Sequence, residues 1–67
     1  MDTLINKLAE ECMQLEIKID KLSEFMHGDI YPTLTPTAQG LLMVQIRYMQ
    51  SYASVLRDRI QTINNNS

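Results

Sequence analysis

Apolar side chains return every three or four residues along two separate stretches of the chain. In the first they are Leu4, Leu8, Cys12, Leu15, Ile19, Leu22 and Met26, the spacing of one helix face. Ile5, Ala9, Met13 and Ile17 form a second set beside it. In the second stretch Leu42, Ile46, Met49, Ala53, Leu56, Ile60 and Ile63 step by four and three in alternation, a heptad-like seam. A further stripe, Leu41, Val44, Tyr48, Tyr52 and Val55, accompanies it. The pattern predicts one helix from about residue 3 to 26 and another from about 36 to 63. The polar end, residues 64–67, is expected to fray.

Punctuation between the stripes agrees with this division. Asp2 or Thr3 can cap the first helix with a side-chain oxygen. Glu10 and Glu11 come before Lys18 and Lys21, the charge order that a helix dipole favours. Gly28 marks a stop, since glycine enters the left-handed conformation at little cost. The connection "HGDIYPTLTP" holds two prolines and a glycine, which break a continuous helix. Thr35 followed by Pro36 is a restart: threonine as N-cap, proline at the first helical position. Leu34 stands before the cap, where it helps to fix the entry angle. A connection over 27–35 lets the helices return antiparallel as a hairpin.

One hairpin has one seam and buries one stripe from each helix, yet both helices carry two. A chain of 67 residues makes one domain and buries only roughly 60% of its unfolded surface. Small scaffolds of this kind gain stability from disulfides, metals or partner chains. Cys12 is the only cysteine, so no disulfide forms within the chain. Cys12 and His27 are too few for a zinc site, which wants four ligands. The expected architecture is therefore all-α: an antiparallel two-helix hairpin assembling into a helical-bundle homo-oligomer. A dimer is the simplest form, and higher closed symmetry is compatible.

Charge and composition narrow the class of function. A net charge of −2 gives no general attraction for DNA. No apolar run approaches the ~20 residues that span a bilayer, which speaks against a membrane partner. The opening "MDTLINKLAEE" has early acids and no continuous apolar segment, unlike a signal peptide. A single free cysteine suits a reducing compartment, and a cytoplasmic location is expected.

Catalytic chemistry finds little support. His27 lies at a helix end, where it favours the dipole and lacks an oriented partner for general-base work. Cys12 sits on the apolar stripe, the setting of an inert thiol. Glu10 and Glu11 are adjacent and diverge around the helix, so they form no carboxylate pair. There is no glycine-rich phosphate loop and no metal-ligand spacing. The expectation is a non-enzymatic protein without cofactor or metal. Of the five methionines, Met1, Met13, Met26, Met43 and Met49, Met13 and Met49 fit core filler better than an adaptable binding surface.

The binding candidates are Arg47, Tyr48, Tyr52, Arg57 and Arg59. Arg59 follows Tyr52 by seven residues, two turns along nearly the same face. Tyrosine and arginine stack on bases, and arginine forks onto phosphates. The same residues also suit a subunit interface, with tyrosine hydroxyls at its rim and arginines paired to acids of another chain or standing in water. Near the hairpin tip, Phe25 reads as a core cap. Tyr31, in the proline loop, is the more exposed ring and the better stacking candidate.

The order "IDKLSEFM", a short proline-containing loop, then "QGLLMVQIRYMQSYASVLRDRI" resembles a family of small phage-encoded helical hairpins. The family pattern matches Lys21-Leu22 and Phe25 in the first helix. In the second it matches Leu41-Leu42, Gln45, Met49, Tyr52, Leu56 and Arg59-Ile60. The match runs from about residue 4 to 60, with Gln45, Tyr52 and Arg59 its least generic positions. Members include anti-CBASS sponges and, with a small extra domain that this chain lacks, anti-Thoeris sponges. The resemblance implies an oligomer, dimer to hexamer, that holds a cyclic nucleotide second messenger in pockets between chains and does not cleave it. Where this resemblance and the Tyr/Arg set meet, the expected contacts are Arg47 and Arg59 on phosphates, Tyr31 or Tyr48 on a base, Phe25 shaping the pocket and Tyr52 as an alternative contact, in the cytoplasm of an infected bacterial cell. The open alternative is a hairpin that docks on a host or phage protein through its second apolar stripe.

Overall fold

The computed structural model describes residues 3–65. Helix α1 spans Thr3–Met26 and helix α2 spans Pro36–Asn65. A 3-10 turn, η1, covers Tyr31–Thr33 between them. The helices fold back on each other as an elongated hairpin whose longest dimension is 50 Å. Helix α2 runs two residues past Ile63, so Asn64 and Asn65 are helical, where fraying is the sequence expectation. The cap of α1 at Asp2 and the thioether of Met1 lie outside the described residues. Thr3 is already the first helical residue.

The restart at Thr35-Pro36 forms as expected. The Ala38 amide, which has no partner inside the helix, donates to Thr35 Oγ1 at 3.2 Å, and the Gln39 amide makes the first intrahelical bond, to the Thr35 carbonyl at 2.9 Å. Helix α1 ends without the left-handed glycine. No glycine among the described residues has a positive φ, and the Gly28 amide closes the last turn onto the Phe25 carbonyl at 3.1 Å. The α1 charges also fall short of the dipole reading. Its described first turn holds no acid and its last turn no base, and the dipole effect fades within one turn of each end. The His27 ring does cap the end, with Nδ1 2.8 Å from the Ser23 carbonyl oxygen.

The seam is narrow. Leu8, Cys12, Ala53 and Leu56 are the buried residues, and Leu15, Ile60 and Ile63 pack half-buried around them. Cys12 Sγ lies 3.9 Å from the Ala53 carbonyl oxygen, so these two residues are level in the antiparallel pair. Every residue of the α2 seam read from the sequence is buried or half-buried. On α1, Leu4 is exposed and Ile5 takes its place against α2. Met49 is half-buried on the seam, but Met13 is 54% exposed and is no core filler. The second stripes stay uncovered: Leu41, Val44, Tyr48, Tyr52 and Val55 on α2, and Met13 and Ile17 on α1, are all exposed.

Candidate functional site

Two polar contacts cross between the helices beside the seam, one on each edge. Tyr52 donates its hydroxyl hydrogen to Glu11 Oε2. Arg57 donates from Nε at 3.0 Å and from Nη2 at 2.6 Å to Glu16 Oε2. Glu11 and Glu16 are five residues apart, as are Tyr52 and Arg57. Five residues turn a helix by about 140°, so the two contacts flank the seam on opposite sides. Side chains lean toward the N-terminus of their own helix. In an antiparallel pair that lean brings Glu16 and Arg57 together although their Cα atoms are not level.

The Glu16–Arg57 edge is closed. Arg57 makes the only ion pair among the described residues, and the hydrogen bonds to Glu16 hold its guanidinium above the ordinary arginine range. This edge borders a shallow depression of about 370 Å³ lined by Glu16, Ile19, Asp20, Gln50 and Arg57. Two carboxylates face one guanidinium there, a poor setting for an anion. Arg57 thus finds an acid on its own chain.

The other edge is open. Leu41, Val44, Tyr48, Tyr52, Val55 and Arg59 follow one another by three or four residues, so they share one face of α2. Glu11, Lys18 and Phe25, seven residues apart, run alongside on α1. Tyr48 is 73% exposed. Among the described residues the Arg59 guanidinium makes no ion pair, yet its charge reaches Tyr52. The Tyr52 phenol is held above the usual tyrosine range by its hydrogen bond to Glu11, by desolvation and by the Glu11 charge, with Arg59 pulling the other way.

The predicted set of site residues is only partly assembled within one chain. Tyr48, Tyr52 and Arg59 share the open face. Arg47 lies twelve residues before Arg59, about 120° around α2 at 3.6 residues per turn, on the outer side. Phe25 is 38% exposed at the hairpin tip, open to solvent where the sequence suggests a core cap. Tyr31 is half-buried, less available than its loop position suggests. Its hydroxyl donates to the Gln39 carbonyl at 3.1 Å. Gln39 Nε2 answers by donating to the Tyr31 carbonyl at 3.1 Å and the Leu34 carbonyl at 3.0 Å. From the level of Cys12 and Ala53, Phe25 lies thirteen residues toward the tip and Arg59 six toward the open end. At 1.5 Å per residue that separates them by roughly 28 Å along the hairpin.

Glu11, Glu16 and Gln39 are the residues that the sequence alone does not single out. Their partners lie 41, 41 and 5 to 8 positions away. Only the paired five-residue spacing of the acids and of Tyr52 and Arg57 hints at the first two, and only once the register is known.

Among the described residues no helix is long and apolar enough to cross a membrane, and no three acidic, histidine or cysteine side chains gather where a metal ion would fit. The class is a two-helix hairpin with one closed and one open polar edge. The chain belongs to the Sequestin family, whose sequence model matches residues 2–62. It is also 39% identical over 54 residues to an uncharacterised 7.5 kDa protein from the denB–rIIB intergenic region of Enterobacteria phage T4, covering 81% of this chain and 84% of that one. No solved structure matches.

Proposed function

We propose that this is a phage anti-defence protein that binds and sequesters a cyclic nucleotide immune signal without cleaving it. The signal would be a cyclic oligonucleotide or a cyclic ADP-ribose isomer, held in pockets between subunits of a homo-oligomer in the infected bacterial cytoplasm. Membership of the Sequestin family, whose name denotes sequestration, is the observation that carries the reading, and the phage T4 relative supports the phage setting.

The geometry supports it in two ways. The open face of α2 ends in Arg59, a cation without an ion pair among the described residues. Charge-assisted hydrogen bonds from such an arginine suit a phosphate, and exposed tyrosines suit a base. Phe25 and Arg59 stand too far apart to meet on one small ligand within one chain. A second copy laid antiparallel along the open face brings the tip of one hairpin beside the open end of the other. That pairing also covers the stripe from Leu41 to Val55, which a lone hairpin leaves in water at a cost. Sequestration needs no catalytic group, so the reading requires no enzyme.

The test is a thermal melt of the purified protein against a panel of cyclic di- and trinucleotides and cyclic ADP-ribose isomers. A ligand at 100 times its Kd stabilises by about 2.7 kcal/mol, several degrees of Tm for a small domain. No shift with any of them removes the reading. A second reading then stands: a hairpin that docks on a host or phage protein. The exposure of the second α2 stripe in the single chain favours it, and a closed homo-oligomer that buries the stripe contradicts it.

A further inference from the structure

Glu11 is the least expected residue on the open edge, because a carboxylate repels the phosphate that Arg59 attracts. Its setting explains its use. The Tyr52 hydroxyl occupies Oε2, and among the described residues Oε1 accepts no hydrogen bond. Glu11 is exposed, and the bond to Tyr52 favours the rotamer that reaches across the seam. Arg59, two turns beyond Tyr52 at roughly 10 Å along the axis, leans back toward it. The edge thus offers a cation and, within one nucleotide's length, an oriented acceptor with one free oxygen. The opposite edge has the same kinds of group but spends them on each other, since both Arg57 donors end on Glu16.

We infer that Glu11, oriented by Tyr52, is a specificity-determining residue: it accepts a hydrogen bond from a hydroxyl or amino donor of the bound nucleotide while Arg59 takes the phosphate. An ionised carboxylate is an acceptor only, so it rewards a ribose hydroxyl or a base N–H at that position and penalises a second phosphate. Tyr52 is a positioning residue in this role. The inference rests on the nucleotide-binding reading and deepens it.

The experiment is titration calorimetry of the intact protein and of Glu11→Ala, Glu11→Gln and Tyr52→Phe. The probes are a cyclic GMP–AMP ring, its 2′-deoxyribose analogue and the analogue with hypoxanthine in place of guanine and unsubstituted purine in place of adenine, which lacks both exocyclic amines. Removing a charge-assisted hydrogen bond weakens Kd about tenfold. Glu11→Ala is expected to show that loss for the full ligand and less than about twofold for whichever analogue lacks the donor. Glu11→Gln, which keeps one carbonyl acceptor, falls between, and Tyr52→Phe loses less than Glu11→Ala. A ribose or base donor is told apart by which analogue becomes insensitive. Equal losses for all three ligands, or none, overturn the role of Glu11 while leaving the binding reading in place. Absence of binding by the intact protein to all three rings and to the wider panel overturns both. A circular dichroism melt of each variant shows whether the hairpin is intact.

Discussion

The two edges of the hairpin are built from similar residues and end in opposite states. Each has a glutamate on α1 and a large polar side chain on α2, and each joins them across the same short seam. On one edge Arg57 meets Glu16 with two donors on one oxygen. On the other a tyrosine stands where an arginine would close the pair, and the nearest cation, Arg59, is left without an ion pair among the described residues. A charge satisfied inside the chain has little left for a ligand. A charge held beside an oriented acceptor but not spent on it keeps its capacity to bind. The two edges therefore differ in pairing, and one residue type, tyrosine in place of arginine, makes the difference.

The seam that both edges share gives the largest expected effect. Leu56 is fully buried, and truncating a buried leucine costs about 2–5 kcal/mol. Leu56→Ala is expected to lower Tm steeply by far-UV circular dichroism and to abolish both cross-helix contacts together. Loss of only one edge would mean that the edges do not depend on a common core.

The next test separates the edges by pH. Hydrogen bonding to Glu11 raises the Tyr52 phenol above its ordinary value of 10.0. A group whose folded pKa exceeds its unfolded value stabilises the fold below the unfolded value and loses that contribution as pH rises through the folded one. Stability is then expected to fall in the alkaline range above about pH 10. Glu11→Ala brings the Tyr52 titration back down, as read by NMR of labelled tyrosine rings. Glu16→Ala leaves it where it was. A Tyr52 titration indifferent to Glu11 breaks the comparison at its open edge.

Smaller effects sharpen it. Gly28 has no positive φ, and a Cβ there meets the Phe25 carbonyl oxygen at 3.4 Å, an ordinary contact. Gly28→Ala is expected to stabilise by about 0.4–1 kcal/mol through the unfolded chain, measured by urea melts. A loss of stability would restore the left-handed cap that the sequence suggests. Arg57→Ala is expected to lower Tm least of all, since an exposed ion pair contributes little, and high salt should erase even that difference.

Much of the fold is legible in the sequence because periodicity and capping are local. The seam of α2 reads off residue by residue, and Thr35-Pro36 marks its start. Gly28 misleads because a glycine after a helix permits a left-handed turn without requiring one. Leu4 and Ile5 exchange roles because a stripe read at the end of a helix has no neighbouring turn to fix its centre. The open face is legible as a second stripe with Tyr48, Tyr52 and Arg59 on it. What joins it to the other helix is not. Glu11 and Tyr52 are 41 residues apart, and nothing short of the register brings them together. Tyr31 looks free in a proline loop because the sequence does not disclose that Gln39 holds the loop by its carbonyls.

The most direct test of the account is a backbone amide NMR titration of the intact protein with any cyclic nucleotide of the panel that shifts its melt. The account predicts that the perturbed amides gather on the open edge, around Glu11, Tyr48, Tyr52 and Arg59, with Glu16, Gln50 and Arg57 nearly still. Perturbations centred on Glu16, Gln50 and Arg57 would contradict it, for then the satisfied edge would be the one that binds.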